Sequence, residues 1–262
     1  MTIAGSDPSG GAGLQADLKT FAALRVYGLS VITAVIAQNS ARVVRVEPVR
    51  PEMVDTQLET IVAERVPDAV KIGALGSAAV ANVVAKKLRS LRLPPPVLDP
   101  VLVASSGMRL LEPAGETVLR TELIPQAALV TPNIPEAEVL SGIEIDGLAA
   151  MHQAARSLLK LGARTVLIKG GHWPTGRGAT ERASVIDLFF DGHSFIVLTA
   201  TRVPGEAHGT GCALSAAIAA WLSRGADLQT ATRRAKRFIT TVLKRPLMLG
   251  SGRCVLDHFA HS

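Results

Sequence analysis

The chain has 262 residues, of which 48% are hydrophobic, 19% charged and only 3% aromatic. This composition excludes a disordered chain and predicts one domain over residues 1–262 with an aliphatic core. The 28 basic and 22 acidic residues leave a formal charge of +6. A basic excess can attract nucleic acid, but no nucleic-acid motif and no aromatic residues interleaved with the basic ones occur.

Cysteine content and hydropathy indicate the compartment. Two cysteines without a C-x-x-C motif exclude a disulfide framework and suit a reducing environment. No apolar run approaches the length of a membrane span, and the N-terminal residues do not read as a signal peptide. We therefore expect a cytoplasmic protein that binds neither membrane nor nucleic acid.

Short segments rich in Val, Ile and Leu predict strands, and several are continuous apolar runs typical of strands covered on both faces. Asp191 and Gly192 between two such runs predict a hairpin over 187–195. The predicted strands are 29–37, 69–72, 96–98, 128–131, 165–169, 183–190 and 193–200.

Apolar residues at helical spacing predict helices between these strands. One stripe begins at Val54, and another begins at Leu148 in a helix that starts at Gly147 and ends near Gly162. Alternating strands and helices predict a mostly parallel sheet flanked by helices, with ligands bound beyond the carboxyl ends of the strands. The polar, glycine-rich segment 172–182 predicts a mobile loop.

The densest basic cluster falls on a predicted C-terminal helix, and we interpret it as a solvated helix face. Its members are Arg233, Arg234, Lys236, Arg237, Lys244 and Arg245.

The strongest local signal is HGTGC at residues 208–212, which precedes an alanine-rich helical pattern. A glycine turn at a helix N-terminus presents unpaired N–H groups and partial positive charge, and so predicts an anion site. An ordinary turn before a packed helix is the alternative. Cys212 lies in the first helical turn, where a thiol pKa tends to fall. It is therefore a candidate base, thiolate or weak donor, or an inert packing residue.

A second glycine-rich loop, at residues 4–13, also opens a helix but is neither a Walker A nor a G-x-G-x-x-G loop. Asp17 follows early in that helix. Its carboxylate either complements the helix dipole or reaches a substrate from the rim of a pocket.

Three further strand ends carry polar residues. Asn133 and Glu136 follow the helix-start pattern, and Glu136 also suits the outer shell of a magnesium ion. Lys169, followed by two glycines, suits phosphate contact or is a solvated turn lysine. Asp99 ends another strand and is a candidate neighbour of a metal–phosphate group. His208 and Cys212 alone do not make a zinc site, and no G-x-S-x-G elbow occurs.

Taken in order, these motifs are more specific than any one of them. They read AGSDPSGGAGLQADLKTF, TAVIAQNS, VKIGALG, LDPVLVASSG, VTPNIPEAEVLSG, VLIKGGH and HGTGCALSAAIAA. In this order they resemble the hydroxymethylpyrimidine/phosphomethylpyrimidine kinases of thiamin biosynthesis, within the ribokinase-like superfamily. The resemblance covers essentially the whole chain.

The resemblance implies a ribokinase-like three-layer α/β sandwich with a central, mostly parallel sheet. It implies ATP as co-substrate, Mg²⁺, a small-molecule substrate and a homodimer. The implied activity is phosphorylation of 4-amino-5-hydroxymethyl-2-methylpyrimidine, and of its monophosphate to the diphosphate. A pyridoxal or pyridoxine kinase, and a non-catalytic ligand-binding protein on the same scaffold, remain the alternatives.

The resemblance also implies a role for individual residues. Gly209, Thr210, Gly211 and Cys212 would form the anion hole, with Cys212 where most of the superfamily carries an aspartate base. Lys169 would lie near the phosphates. Asn133, Glu136 and Asp99 would organise ATP and magnesium, with Glu136 acting on the metal through water.

On the substrate side, Gln38 would read the pyrimidine with its amide, which can donate and accept at once. Asp17 would contact the other side of the substrate, and Gly5 would line the same pocket. Ala74 stands where the family motif KIGML has methionine, which implies a roomier pocket.

Overall fold

The computed structural model describes residues 1–104, 106–172, 184–202, 207–250 and 254–260. The mobile loop predicted over 172–182 falls almost entirely outside these residues. None of the helices in the described ranges is both long and apolar enough to cross a membrane.

Nine strands form one large sheet, and three short strands form a second sheet. The large sheet contains β1 (Thr2–Ser6), β2 (Ser30–Gln38), β3 (Val43–Pro48), β4 (Lys71–Ile72), β5 (Val97–Leu98), β6 (Leu129–Val130), β7 (Val166–Ile168), β8 (Ser184–Phe190) and β9 (Phe195–Thr201). The small sheet contains β10 (Ala207–His208), β11 (Leu247–Met248) and β12 (Cys254–Val255).

The described residues also form eight α-helices and three short helical turns. The helices are α1 (Gly13–Ala23), α2 (Pro51–Glu64), α3 (Ala78–Ser90), α4 (Pro113–Val118), α5 (Ile134–Ser141), α6 (Leu148–Lys160), α7 (Thr210–Ser223) and α8 (Leu228–Val242). The short turns are Leu119–Leu123, Ile124–Gln126 and Gly170–His172.

The strand order in the large sheet is β3-β2-β1-β4-β5-β6-β7-β8-β9. The pairs from β2 through β7 are parallel, whereas β3 at one edge and β8 and β9 at the other join by antiparallel pairing. The mostly parallel sheet predicted from the sequence is therefore confirmed. The chain leaves β1 toward β2 and returns to β4 on the other side of β1. The connections part at this switch point and open a crevice at the carboxyl ends of the strands.

Two aliphatic cores cover the two faces of the sheet and make three layers. One core packs α2, α3, α5 and α6 against the sheet, and the other packs α1, α7 and α8. The alanines of α7 are buried from Ala213 to Ala220, which lets this helix lie close to the strands. The predicted three-layer α/β sandwich is thus confirmed.

Local sequence signals account for several element boundaries. Ser77 caps α3 by accepting a hydrogen bond from the Val80 N–H, and Asp227 caps α8 by accepting one from Thr230. The predicted helix after Gly147 runs over Leu148–Lys160, and Gly162 follows it with φ at +102°. The predicted hairpin is formed by β8 and β9, with Phe190 opposite Phe195.

The edge strand β3 was not predicted. Its exposed positions include Arg45 and Glu47, which pair with each other, so charge interrupts the apolar pattern that marks the other strands. Charged edge residues are a common feature of strands that lack a second neighbour.

Candidate active site

A cavity of about 590 Å³ opens at the carboxyl ends of the parallel strands. Residues from the loops after β1, β4, β5, β6 and β7 line it, together with the N-terminus of α7. Eleven of the twelve predicted site residues lie in its wall. They are Gly5, Gln38, Ala74, Asp99, Asn133, Glu136, Lys169, Gly209, Thr210, Gly211 and Cys212.

The anion loop, residues 209–212, leads directly into α7. Gly209 has φ at +85°, and a Cβ there would lie 1.7 Å from the carbonyl oxygen of Gly11, so only glycine fits. A Cβ at Gly211 would lie 3.1 Å from Lys169 Nζ, which places the ammonium group against the start of the helix. A helix N-terminus beside a partly buried lysine is well suited to bind a phosphate.

Lys169 forms a 2.6 Å ion pair with Asp99. The hydroxyl groups of Thr131 and Ser215 also donate to Asp99, at 3.2 and 3.3 Å. Burial raises the pKa of Asp99, but the Lys169 and Lys71 charges and these hydrogen bonds outweigh it and lower the pKa overall. Burial likewise lowers the pKa of Lys169, but the Asp99 and Glu136 carboxylates raise it overall. Both partners are therefore charged at neutral pH.

Asn133 and Glu136 form a capping box at the start of α5. The Asn133 side chain accepts from the Glu136 N–H at 2.9 Å, and the Glu136 carboxylate accepts from the Asn133 N–H at 2.8 Å. Burial, reinforced by the charge of Asp99 and opposed by Lys169, raises the pKa of Glu136 to about 7. The same contacts that start the helix therefore hold a carboxylate at the cavity wall.

The acidic groups of this wall suit a magnesium ion bound mainly through phosphates and water. The described residues include no group of three or more His, Cys, Asp and Glu that could enclose a metal. Asp99 is close enough to Glu136 to raise the pKa of the Glu136 carboxyl group. Mg²⁺ commonly keeps several waters and binds one or two carboxylates plus substrate phosphates. The residues present fit that mode of binding and not an all-protein cage.

One part of the cavity wall is aliphatic. Ala74, Ile36 and Leu110 belong to a small buried cluster, and all three line the cavity. Gln38 ends β2 beside it, and a Cβ at Gly5 would approach Ile36 to 3.0 Å. This arrangement can hold the faces of a flat heterocycle by aliphatic contact while one amide hydrogen-bonds its edge.

Asp17 is placed differently from the sequence prediction. Its side chain is fully buried and does not line the cavity, so a direct contact with substrate does not fit this structure. Its carboxylate accepts hydrogen bonds from Thr2 at 2.6 Å and from Lys71 at 2.8 Å. The residue that occupies the cavity wall at this place is Lys71, to which Asp17 serves as counterion.

The prediction that the pKa of the Cys212 thiol is lowered is also wrong. Burial raises this pKa to about 11, because the charges of Asp99 and Asp17 add to the desolvation cost and Lys71 and the Gly13 N–H only partly oppose it. The thiol is therefore protonated at neutral pH. Its position at the start of a helix does not compensate for its surroundings.

The sequence reasoning missed four charged groups of the cavity wall, which are Lys71, Asp187, Arg202 and Lys236. Lys71 interrupts the apolar run of β4, and a lysine within a buried strand is itself a signal of a paired charge. Lys236 belongs to the cluster interpreted as solvated, yet it lines the cavity and pairs with Asp187 on β8. Its neighbours Arg233 and Arg234 are exposed, as that interpretation expects.

A helix N-terminus suited to anions, a lysine–carboxylate pair and an aliphatic cluster meet in one cavity at the switch point of a three-layer sandwich. Fold and site together define a small-molecule kinase of the ribokinase-like class.

Comparison with known proteins identifies the family. The family model described as phosphomethylpyrimidine kinase matches residues 7–257, so the chain belongs to the phosphomethylpyrimidine kinase family, whose members are phosphotransferases. The chain is 40% identical to the hydroxymethylpyrimidine/phosphomethylpyrimidine kinase of Bacillus subtilis over 99% of its length and 94% of that protein. It is 43% identical to the thiamine biosynthesis bifunctional protein ThiED of Geobacter sulfurreducens, over 98% of the chain but only 51% of that longer protein.

A solved structure shows the same fold. The pyridoxal kinase from Staphylococcus aureus, in complex with AMP-PCP and pyridoxal, superposes with a TM-score of 0.87 at 32% identity. The match covers all of this chain and 93% of that one.

Proposed function

We propose that this chain transfers the γ-phosphoryl group of ATP to the hydroxymethyl group of 4-amino-5-hydroxymethyl-2-methylpyrimidine, and then phosphorylates the monophosphate to the diphosphate. One observation carries the proposal. One cavity brings together the anion loop, an aliphatic cluster with Gln38 beside it, and the charged groups of Lys169, Asp99 and Glu136. A ring bound at the aliphatic cluster and a nucleotide bound at the charged groups would place the reacting groups beside the loop.

The residues divide the chemistry between them. Backbone N–H groups of the anion loop would receive the charge that spreads over the transferring phosphoryl oxygens, and Lys169 would neutralise it further. Gln38 would donate to a ring nitrogen and accept from the amino group of the pyrimidine. Phosphoryl transfer depends mainly on positioning and electrostatics, which these groups supply.

Cys212 is the proposed acceptor of the hydroxyl proton, acting in the minor thiolate form. Its thiol lines the cavity beside Lys71, whose ammonium charge favours the thiolate. A strong base that is present in small amount suits a proton that leaves late in the reaction.

The proposal includes magnesium, a second subunit and a compartment. Mg²⁺ would bridge the ATP phosphates and neutralise charge, held near Asn133, Glu136 and Asp99 with water between Glu136 and the metal. The exposed apolar residues Val35 and Val44 at the sheet edge support a homodimer, which light scattering would test. Cys212 and Cys254 form no disulfide, which supports a reducing cytoplasm.

A pyridoxal kinase is the second candidate. Pyridoxal is the ligand of the S. aureus structure compared above, and the small side chain of Ala74 leaves room for a pyridine ring with more substituents. Both candidates use the same anion loop and differ only at the ring pocket.

An ADP-release assay with MgATP tests the proposal. It compares 4-amino-5-hydroxymethyl-2-methylpyrimidine, its monophosphate and pyridoxal at equal concentration. We expect both pyrimidines to be phosphorylated, with pyridoxal far slower, and Lys169→Met to abolish the activity. Lys160→Met, at an exposed lysine outside the cavity, is the matched control.

Each other outcome changes the conclusion. If pyridoxal is the best substrate, the second candidate replaces the first. If none of the three compounds increases ADP formation above background, the kinase assignment fails and a ligand-binding role takes its place.

A further inference from the structure

Two glycine-rich loops from opposite ends of the chain touch beside the cavity. The loop nearer the N-terminus, called the first glycine loop, comprises residues 7–13 of the glycine-rich segment 4–13 and follows β1. The anion loop follows β10. The carbonyl oxygen of Gly11 would lie 1.7 Å from a Cβ at Gly209, so the two backbones are in contact. The Gly13 N–H also lies near the thiol of Cys212, where it works against the rise in the pKa of that thiol. The first glycine loop therefore lies against both ends of the anion loop, with Gly11 near Gly209 and Gly13 near Cys212.

Asp7 holds the first glycine loop in shape. Its side chain is fully buried and accepts hydrogen bonds from the Ala12 N–H at 2.7 Å, the Ser9 N–H at 2.9 Å and the Ser9 hydroxyl at 2.7 Å. Burial raises the pKa of Asp7, but the hydrogen bonds from His208, Ser9 and Ala12 outweigh it and lower the pKa overall. The carboxylate is thus ionised, which strengthens each of these bonds.

The same carboxylate reaches the anion loop. His208 Nε2 lies 3.2 Å from Asp7 Oδ2, and His208 is the residue immediately before Gly209. The imidazole ring also packs on the first glycine loop, since a Cβ at Gly11 would lie 2.7 Å from His208 Cδ2. On its other side His208 pairs with Val255 of β12. The contact with Asp7 joins residues 201 positions apart and fixes where the anion loop begins.

We propose that Asp7 and His208 are positioning residues that hold the anion loop where it must receive the transferring phosphoryl group. The inference rests on the proposed kinase activity. Neither side chain needs to touch the phosphoryl group. A displacement of about 1 Å in a catalytic group is enough to lower a rate by about 100-fold, because aligned donors stabilise charge only where it develops.

Variants that keep side-chain size test the pair. His208→Gln removes the imidazole bridge while leaving the first glycine loop its own hydrogen bonds, and Asp7→Asn removes the charge. We expect each to lower kcat about 10- to 100-fold while KM for the pyrimidine stays within about threefold. We expect the double variant to be no slower than the slower single variant, because both act on one contact. His193→Gln, at an exposed histidine outside the cavity, is the matched control and should leave kcat unchanged.

Hydrogen exchange supplies a measurement that does not depend on activity. The amides of the anion loop should exchange faster in His208→Gln than in the unmodified protein and in His193→Gln, while those of the central strands stay protected. Unchanged exchange in the anion loop, or effects of the two substitutions on kcat that multiply in the double variant, would overturn the positioning role. An unmodified protein without kinase activity would overturn the proposed function, and the exchange result would still decide whether the pair orders the loop.

Discussion

At the scale of single residues, charge and burial decide what each group of the site can do. Lys71 and Asp17 are both fully buried, yet only Lys71 faces the cavity. Cys212 lies at a helix N-terminus, yet its pKa rises because burial dominates. The motifs and the family resemblance therefore predicted which residues lie near the cavity, while the protonation and orientation of these residues depend on neighbours that are distant in sequence.

Cys212→Ala tests the proposed proton acceptor. The thiol pKa is near 11, so below that pH the thiolate fraction rises about tenfold with each unit by which the pH increases. We therefore expect kcat to rise between pH 7 and 9. The alanine variant should lose about 100-fold in kcat at pH 7, keep its KM within about threefold and lack the rise. Steady-state kinetics across this pH range measure both. Equal pH profiles, or an unchanged kcat, would remove Cys212 from the mechanism.

Lys71→Met tests the buried ion pair. Burial alone lowers the pKa of Lys71, but Asp17 outweighs it and raises the pKa, so the ammonium stays charged. Removing it leaves the Asp17 carboxylate buried without its counterion, and we expect the free energy of unfolding to fall by about 3–5 kcal/mol. Urea unfolding measures this value.

The control for this prediction is Arg65→Met, which breaks the exposed ion pair between Arg65 and Asp68. We expect it to change the free energy of unfolding by less than about 1 kcal/mol. If both substitutions cost equally little, Asp17 and Lys71 do not form the charged pair described above.

At the scale of elements, the ends of strands and the starts of helices carry the site. Asn133 was predicted to start a helix and to serve the site, and it forms the capping box of α5 while lining the cavity. By contrast, β3 and the small sheet of β10, β11 and β12 are short or charged, so the sequence pattern does not reveal them. Short strands of this kind form because neighbours supply their hydrogen bonds.

The C-terminal segment, residues 254–260, contains the buried His258, and its Val255 lies beside Gly11 of the first glycine loop. Burial, reinforced by the charge of Lys19, lowers the pKa of His258 to about 4. The unfolded chain binds this proton below about pH 6.5, whereas the folded chain resists it until about pH 4. We therefore expect the free energy of unfolding to fall by about 3 kcal/mol as the pH drops through this window.

Substitution of His258 by Gln should flatten this dependence. Urea unfolding at pH 7 and pH 4.5 measures the slope, and His193→Gln, at an exposed histidine, should retain the full slope of the unmodified protein. If the slope in His258→Gln is as steep as in the unmodified protein, other groups account for the acid sensitivity.

At the scale of the whole molecule, the cavity joins elements from both layers of helices. Glu136 belongs to α5 on one face of the sheet, whereas Cys212 and Lys236 belong to α7 and α8 on the other. A ligand that contacts all of these elements binds the folded state alone and so stabilises the whole domain.

Nucleotide binding should therefore raise the thermal stability. At an ADP concentration about 100 times its Kd, with Mg²⁺ present, we expect the free energy of unfolding to rise by about 2.7 kcal/mol. The increase should shrink when EDTA replaces the metal, and in Lys169→Met. Thermal scans with and without nucleotide measure it. No shift in Tm at saturating nucleotide would contradict the assignment of the charged groups of the cavity to ATP.

The sequence by itself indicated the class of fold through apolar periodicity and glycine-rich turns, which are local properties of the chain. Its motifs, taken in order, resembled the family, and that resemblance implied the site residues. The sequence did not determine the roles of Asp17 and Lys71, the protonation of Cys212, or the contact of Asp7 with His208. Each of these depends on burial and on the field of charges brought together by the sheet. Only the tertiary structure decides those quantities, because residues far apart in the chain set the desolvation and the Coulomb energy of each group.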